Sequence, residues 1–494
     1  MSGFELLLDP MFYVYVAIGV GVGMVVGVIP GLAGGAGLAI LIPFVFGMDP
    51  VNGIALLIGM LAITTTSDSF ASILLGVPGT AGSQATIIDG YAMTRRGEGA
   101  TALGAAFTAS MIGGVIGGLA LLGVAWLARP LIMAMGSPEL FMLALLGITL
   151  VAIVSRGSIM IGLLTASLGM LLGATGGAPA AAVRRYTFDT LYLYEGLSII
   201  LVSLGLFAVP EIIHLLASNE SIARGGVVRG SKWEGARATL RNPRLVAQSS
   251  IIGTTVGIIP GLGGHVVDWL SYGAASRTVR KPTFGEGDIR GVIAPESANN
   301  AKEGGALLPT LLFAIPGSPA MAIFLGALML MGVQPGPRMI ETNASLIFAI
   351  VATLIVANIM ATSASFAASS VLVRIATVPA RKFAPPLMVL FAVAAYQQTE
   401  SVFDLVTLFA FGALGVLMVY LRWSRVPFII GFVLSVPIER YLTLSHSLYG
   451  FSFLLRPTVI AIGVVMVFFA VGPSVVTIVR RVLEPDDRRQ EVEP

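Results

Sequence analysis

Cysteine is absent from the 494 residues, which excludes a disulfide framework, a thiolate metal site and a redox dithiol. The three histidines, His214, His265 and His446, lie far apart and without HExxH spacing, so zinc-hydrolase chemistry has no support. Lysine occurs only at 232, 281, 302 and 382, never in a Gly-Lys-Ser/Thr sequence, so the chain carries no Walker-type phosphate loop. Charge is scarce too. Asp, Glu, Lys and Arg make up 11% of the chain, where a soluble domain has roughly 25%. The formal net charge of +3 is small and borne by loops, a pattern of membrane topology rather than of a nucleic-acid partner.

What the chain does have is apolar length: 56% of its residues are hydrophobic. The segments 10–48, 99–128, 157–183, 245–267, 304–337, 342–373 and 457–479 contain no charged residue. About 20 apolar residues span a bilayer, and only helices or closed barrels satisfy the backbone there. Barrel strands would alternate in roughly ten-residue segments, whereas these runs are long and unbroken. The fold class is therefore an all-α polytopic integral membrane protein with the lipid bilayer as its surroundings. The start, Met1 to Asp9, has Glu5 and Asp9 but no basic residue, so the first apolar run is expected to be a retained span rather than a signal peptide.

The chain repeats itself. Gly27-Val-Ile-Pro-Gly-Leu-Ala-Gly-Gly35 returns as Gly257-Ile-Ile-Pro-Gly-Leu-Gly-Gly264, a shift of 230. Leu75-Gly-Val-Pro-Gly-Thr80 returns as Phe313-Ala-Ile-Pro-Gly-Ser318, a shift of 238. Ser155-Arg156 with Ile161-Gly162 returns as Ser424-Arg425 with Ile430-Gly431. The reading is a transmembrane repeat over 1–217, a basic cytoplasmic linker over 218–246, a second repeat over 247–479 and a cytoplasmic tail over 480–494. The first copy is entered from a terminus without basic residues and the second from a linker with six of them, Arg224, Arg229, Lys232, Arg237, Arg241 and Arg244. By the positive-inside rule the copies start on opposite sides, which predicts an inverted repeat with Gly/Pro-broken helices or re-entrant hairpins.

Matched Gly/Pro-broken apolar segments point to the binding site of a secondary transporter. Opening a helix frees N–H groups at one end, which suit a carboxylate, and carbonyls at the other, which suit a cation. The alternative is a kink that lets helices pack closely through small residues. The candidate substrate-binding residues are Pro30, Gly31, Gly34 and Gly35 in the first motif and Pro260, Gly261, Gly263 and Gly264 in its repeat. The second motif pair adds Pro78, Gly79, Thr80, Ser83 and Gln84 with Pro316, Gly317 and Ser318. Ser297, Asn299 and Asn300, in the polar stretch 294–305, complete the set; Lys302 and Glu303 there could pair or gate. Thr64, Thr65, Thr66, Ser67 and Asp68 offer hard oxygen ligands for a coupling ion, though Asp68 could equally be a helix cap. Asp268 is an isolated acid in an apolar run, a further coupling candidate. Beyond Na⁺ or H⁺ as coupling ion, no cofactor or metal is expected.

The stretches LLGVPGTAGSQATIIDGYAMTRRGE (74–98), GIIPGLGG (257–264) and APESANNAKEGGALLPTLLFAIPGS (294–318) resemble the large permease subunit of tripartite tricarboxylate transporters, the TctA type. The resemblance covers nearly the whole chain. It departs at Ala81 and Ala92, where that family commonly has proline, which leaves the substrate class open. It implies a multi-pass protein of the bacterial inner membrane that works with a small four-helix membrane subunit and a periplasmic solute-binding protein. It further implies import of a carboxylate (a tricarboxylate, dicarboxylate or aromatic carboxylate) by symport with Na⁺ or H⁺, and it places the Pro-Gly motif residues with Thr80, Ser83, Ser297, Asn299, Asn300 and Ser318 at the site. A channel without gradient coupling is the competing reading. An intramembrane enzyme would need a catalytic constellation within the spans, and no zinc motif, GxSxG or GxGD-type aspartyl pair occurs, so no enzymatic activity is expected.

Overall fold

The computed structural model describes residues 5–29, 34–154, 158–179, 181, 183–217, 229–337, 339, 343–376, 382 and 384–483. Pro30 and Gly31 lie outside the described residues, as do Ser155 and Arg156. The protein is an all-α membrane-spanning bundle, and among the described residues six helices are long and apolar enough to cross a bilayer. Strand is confined, among those residues, to a minimal antiparallel pair, Gly176–Gly177 with Arg184–Arg185.

Helix starts follow from local chemistry. Asp9 and Asp49 each precede a proline and accept a backbone N–H two residues on, from Met11 at 2.9 Å and Val51 at 3.0 Å. Proline at the first helical position lacks the donor that would go unsatisfied there. These caps open α1 (Pro10–Val28) and α3 (Pro50–Ser67), with α2 (Gly34–Val45) between them. The first half continues through α4 (Thr86–Arg95), α5 (Gly99–Met133), α6 (Ser137–Val154) and α7 (Ile159–Gly173), then α8 (Ile199–Ser203) and α9 (Val209–Ala217). A polar helix, α10 (Lys232–Leu240), leads into α11 (Pro243–Gly257), α12 (Gly263–Thr278), α13 (Arg290–Phe313) and α14 (Pro319–Leu330). The chain finishes with α15 (Ala344–Ala376), α16 (Ala384–Tyr396), α17 (Val402–Tyr420), α18 (Arg425–Tyr449) and α19 (Pro457–Leu483).

The centre is built on α3 and α13. In the apolar span that contains α3, Pro50–Leu75, every residue from Gly53 to Ile73 is buried, and nearly every residue of α13 is buried. Close approach is carried by glycine, because dispersion between well-fitted backbones, not water exclusion, drives association in lipid. A side chain at Gly23 would strike Met60 and Ile63 of α3, and one at Gly27 would strike Thr64 and Ser67. In the second copy, side chains at Gly253 and Gly257 of α11 would strike Ala298 and Lys302 of α13. The α1–α3 pair and the α11–α13 pair are the same construction.

The relation between the copies can be read from contacts between equivalent helices. Ser69 bonds Glu296 while Thr66 bonds Asn300, so α3 and α13 cross in opposite directions. Gly114 faces Asn358 and Gly118 faces Ile355, so α5 and α15 also run antiparallel. Further out the sense changes. Gly431 of α18 sits on Ala166 of α7, and Ser435 donates to the Met170 carbonyl at 2.9 Å; these two helices advance together. The inversion read from the sequence thus describes the Pro-Gly core, while α7 and α18 form a parallel pair beside it.

Both chain breaks in this core use one hydrogen-bond frame, offset by 238 residues. Gly76 and Ala314 each end a helix in the left-handed conformation, with φ of 69° and 54°. Val77 N–H then reaches back to the Ala71 carbonyl at 3.4 Å, and Ile315 N–H to the Pro309 carbonyl at 3.1 Å. The N–H of Gly79 donates to Ser72 Oγ at 3.3 Å, and that of Gly317 to Thr310 Oγ1 at 3.3 Å. Thr80 and Ser318 cap the next helical turn by accepting from Gly82 and Met321. Each hydroxyl satisfies a donor that the broken helix can no longer pair. We expect Thr310→Val to leave the buried Gly317 N–H unpaired and to destabilise the protein by about 1–3 kcal/mol, read as a lower melting temperature in detergent, while Thr310→Ser stays near wild type.

Candidate functional site

The polar residues of the two copies meet where α3 and α13 cross. Asp68 ends α3 and is fully buried. Its Oδ2 accepts a hydrogen bond from Thr80 Oγ1, which itself accepts the Gly82 N–H at 3.1 Å. The turn 80–83 is therefore drawn onto the end of α3, and a side chain at Gly79 would collide with Asp68. Ser83 Oγ joins the same network, accepting from Ser72 Oγ at 2.8 Å and from Thr80 N–H at 3.2 Å.

From the opposite side α13 contributes three buried polar groups. Glu296 accepts from Ser69 and Thr86 at 2.8 Å each and from Ser110 at 3.1 Å, so one carboxylate ties the end of α3, α4 and α5 to α13. Asn300 commits its two amide protons to Thr66 Oγ1 and Asn358 Oδ1, both at 2.9 Å. Asn299 donates to the Thr65 carbonyl at 3.4 Å and turns its oxygen towards Gly82. Next along the helix, Lys302 pairs with Glu303. The lysine stem lies against Gly264 of the repeated Pro-Gly motif, and Gly264 lies against Gly82. Thus the tip 80–83, the second Pro-Gly motif and the middle of α13 come to one place.

The other expected site residues distribute around this centre. Gly34 abuts Thr64, and Gly35 abuts Ala320 and Ile323 at the start of α14. Gly261, with φ of 86°, donates its N–H to the Gly317 carbonyl at 3.1 Å, joining the two motifs of the second copy. Pro260 and Pro316 are buried, Gly263 opens α12, and Ser318 caps α14. Pro78, by contrast, is exposed. Gln84 lies beside Trp269, whose Nε1 approaches its side-chain oxygen at 3.5 Å. Ser297 points elsewhere: its hydroxyl donates to the Ile293 carbonyl of its own helix at 2.8 Å, and its backbone packs on Gly113. Asp268 accepts the N–H groups of Ala85 and Trp269 at 2.9 and 2.8 Å, which anchors the start of α4 to α12.

Six participants were not among the residues expected at the site: Ser69, Ser72, Glu296, Thr86, Ser110 and Asn358. The last had a signal, being the lone amide in the 33 residues of α15, since isolated polar groups in apolar spans face protein rather than lipid. Asp89 is another. Its Oδ1 accepts the N–H groups of Gly285, Gly287 and Asp288 at 2.8 Å each, and Tyr272 donates to its Oδ2. That carboxylate straps the basic α12–α13 loop to α4. Within the loop, burial works against the charge of Asp288. The Arg290 guanidinium at 2.6 Å and the backbone N–H of Thr283 outweigh it and hold the Asp288 carboxyl below the usual range.

With this geometry in view, comparison with known proteins decides the family. The model of the tripartite tricarboxylate transporter TctA family matches residues 13–430. The chain belongs to that family. An uncharacterized 52.8 kDa protein in the TAR-I ttuC' 3'region of Agrobacterium vitis is 32% identical over 482 residues, covering 96% of both chains. An uncharacterized protein in the TAR-II ttuC' 3'region of the same organism is 30% identical over 231 residues, 45% of this chain and 95% of its own length. No solved structure matches the chain. The protein is thus a multi-pass membrane protein of a transporter family whose members belong to three-part systems.

Gly261 and Gly317 have little room for larger residues. A left-handed φ at Gly261 costs a branched residue about 1–2 kcal/mol, and a side chain at Gly317 would meet Ala306 at 3.0 Å. We expect Gly261→Val and Gly317→Val to abolish transport by the assembled system while reaching the membrane at wild-type levels; normal uptake by both would remove these motifs from the transport path.

Proposed function

We propose that this chain is the large permease subunit of a binding-protein-dependent secondary transporter that imports a carboxylate by cation symport with alternating access. The observation that carries the reading is the pair of broken helices built on one frame, with the turn 80–83 of the first meeting the middle of α13 at a buried, oxygen-rich centre. Such a centre offers freed N–H groups and hydroxyls to an anion and carbonyl and carboxylate oxygens to a cation, without lining the membrane with fixed charge. The candidate anion side comprises the Pro-Gly tips with Thr80, Ser83 and Ser318; the candidate coupling side comprises Asp68 and the hydroxyls from Thr64 to Ser67. Residues 1–217 and 247–479 act as the two repeats, joined by a cytoplasmic linker, in the inner membrane of a bacterium. A small four-helix membrane subunit and a periplasmic binding protein that captures the carboxylate complete the system.

Energetics require coupling. The chain carries no nucleotide loop, and moving an anion inward against a negative-inside potential costs about 2.3 kcal/mol per charge per 100 mV. A di- or tricarboxylate therefore needs at least as many co-transported cations as it has charges if it is not to oppose the potential. The oxygen-rich centre favours Na⁺ over a proton relay, since no histidine chain runs through the spans. Proteoliposomes holding both membrane subunits, with the binding protein and a panel of labelled di-, tri- and aromatic carboxylates outside, should accumulate one of them only under an inward Na⁺ gradient. Downhill flux without any gradient would identify a channel, and full uptake on a pH gradient in sodium-free buffer would exclude Na⁺ as the obligatory ion.

A further inference from the structure

Of the buried oxygens with no hydrogen-bond partner among the described residues, Ser67 Oγ is turned towards Gly27 of α1, and three others stand at the α3–α13 crossing: Asp68 Oδ1, Asn299 Oδ1 and Asn300 Oδ1. Asp68 is 0% exposed, and the two asparagines are 1% exposed each. An unpaired polar atom in such a place costs about 1–3 kcal/mol, and more for a charged group. Asn300 has committed both amide protons, to Thr66 and Asn358, and Asn299 directs one at the Thr65 carbonyl. Their carbonyl oxygens are the atoms left over. Asp68 and Asn299 border the same short turn: Thr80 binds Asp68 Oδ2 and the Gly82 N–H, and Gly82 lies directly on Asn299 Oδ1.

We infer that these oxygens form a monovalent cation site shared between the two copies, with Asp68 from α3 supplying the charge and Asn299 from α13 the opposing carbonyl, and with Asn300 holding the second wall. This rests on the symport reading, deepens it, and moves the asparagines from the substrate to the coupling ion. The chemistry selects the ion class. Carboxylate and amide oxygens are hard ligands. Asp68 would supply one charge to the neutral amide oxygens, while the nearby Glu296 is taken up by three hydroxyls and Lys302 is paired with Glu303. No cluster of three or more His, Cys, Asp or Glu occurs among the described residues to hold a divalent metal. A proton on Asp68 could serve that carboxyl and at most one neighbouring oxygen, whereas a cation can accept several oxygen ligands at once. The repeat supports a single site of this kind. At the 238-residue offset Asp68 corresponds to Ala306 and Thr64 to Lys302, so the second hairpin keeps the frame and lacks the anionic ligand.

The site can be tested on the purified protein without any carboxylate. Thermal unfolding in detergent is followed while NaCl replaces choline chloride at constant ionic strength and pH. We expect the melting temperature to rise with Na⁺ and its logarithm, as ligand linkage requires. Asp68→Asn, nearly isosteric and able to keep the Thr80 contact, should abolish the rise. Asn299→Ala should shift the half-effective Na⁺ concentration upwards by about tenfold or more. Gly82→Ala, which keeps every polar group but drives a methyl into Asn299 Oδ1, should do the same. A wild-type protein stabilised by acid and indifferent to Na⁺ would overturn the proposal in favour of a proton. A Na⁺ response unchanged in both Asp68→Asn and Asn299→Ala would place the ion elsewhere. Na⁺ stabilisation by this site together with uptake that ignores Na⁺ would leave the site standing and defeat the symport reading instead.

Discussion

A polypeptide that stops being helical inside a membrane must find partners for the backbone groups it frees, because lipid offers none. That constraint organises this protein. Each break ends on a left-handed residue, each sends an N–H back six positions, and each gives the next glycine N–H to a hydroxyl on the preceding turn, Ser72 in one copy and Thr310 in the other. The breaks are then flanked by α1, α5 and α11, which approach closely through glycine, and by α15, which packs on the glycines of α5. Broken helices are tolerated here because protein, not lipid, surrounds them.

Upon this shared frame the copies carry different chemistry. In the first copy the polar stretch lies at the end of α3, from Thr64 to Ser69. In the second it begins earlier, at Glu296, where the equivalent residues of α3 are apolar: Ile58, Leu61 and Ala62 stand opposite Glu296, Asn299 and Asn300 at the 238-residue offset. Because α3 and α13 cross in opposite directions, these displaced stretches fall side by side. Glu296 reaches Ser69 and Asn300 reaches Thr66. The symmetry of the backbone and the asymmetry of the side chains together give one polar centre where an undiverged duplication would give two equal ones.

The sequence disclosed the class and the repeat readily, since long uncharged runs and Pro-Gly interruptions leave marks that survive divergence. It also nominated Asp68, Thr80, Asn299 and Asn300, because polar residues beside broken apolar segments have few structural reasons to be there. What it could not convey was register. Whether Ser297 or Asn299 faces the partner helix depends on a rotation of about 100° per residue and on a crossing set by glycines far away in the chain. So Ser297 was expected at the centre and instead bonds its own helix, while Ser110, one of several hydroxyls in α5, gave no hint that it alone of them reaches Glu296. Asp268 read as an isolated acid, and its partners are backbone N–H groups, which no side-chain pattern reveals.

The polar centre depends on the Pro-Gly cores standing in opposite orientations across the membrane. The chain has no cysteine, so single cysteines report without background. Phe46, on the turn between α2 and α3, and Glu286, on the loop between α12 and α13, are both exposed. With Phe46→Cys and Glu286→Cys made separately, a membrane-impermeant thiol reagent applied to intact spheroplasts and to inside-out vesicles should modify position 46 only from the periplasmic face and position 286 only from the cytoplasmic face. Modification of both positions from the same face would contradict the inverted core and, with it, the crossing that brings the two polar stretches together.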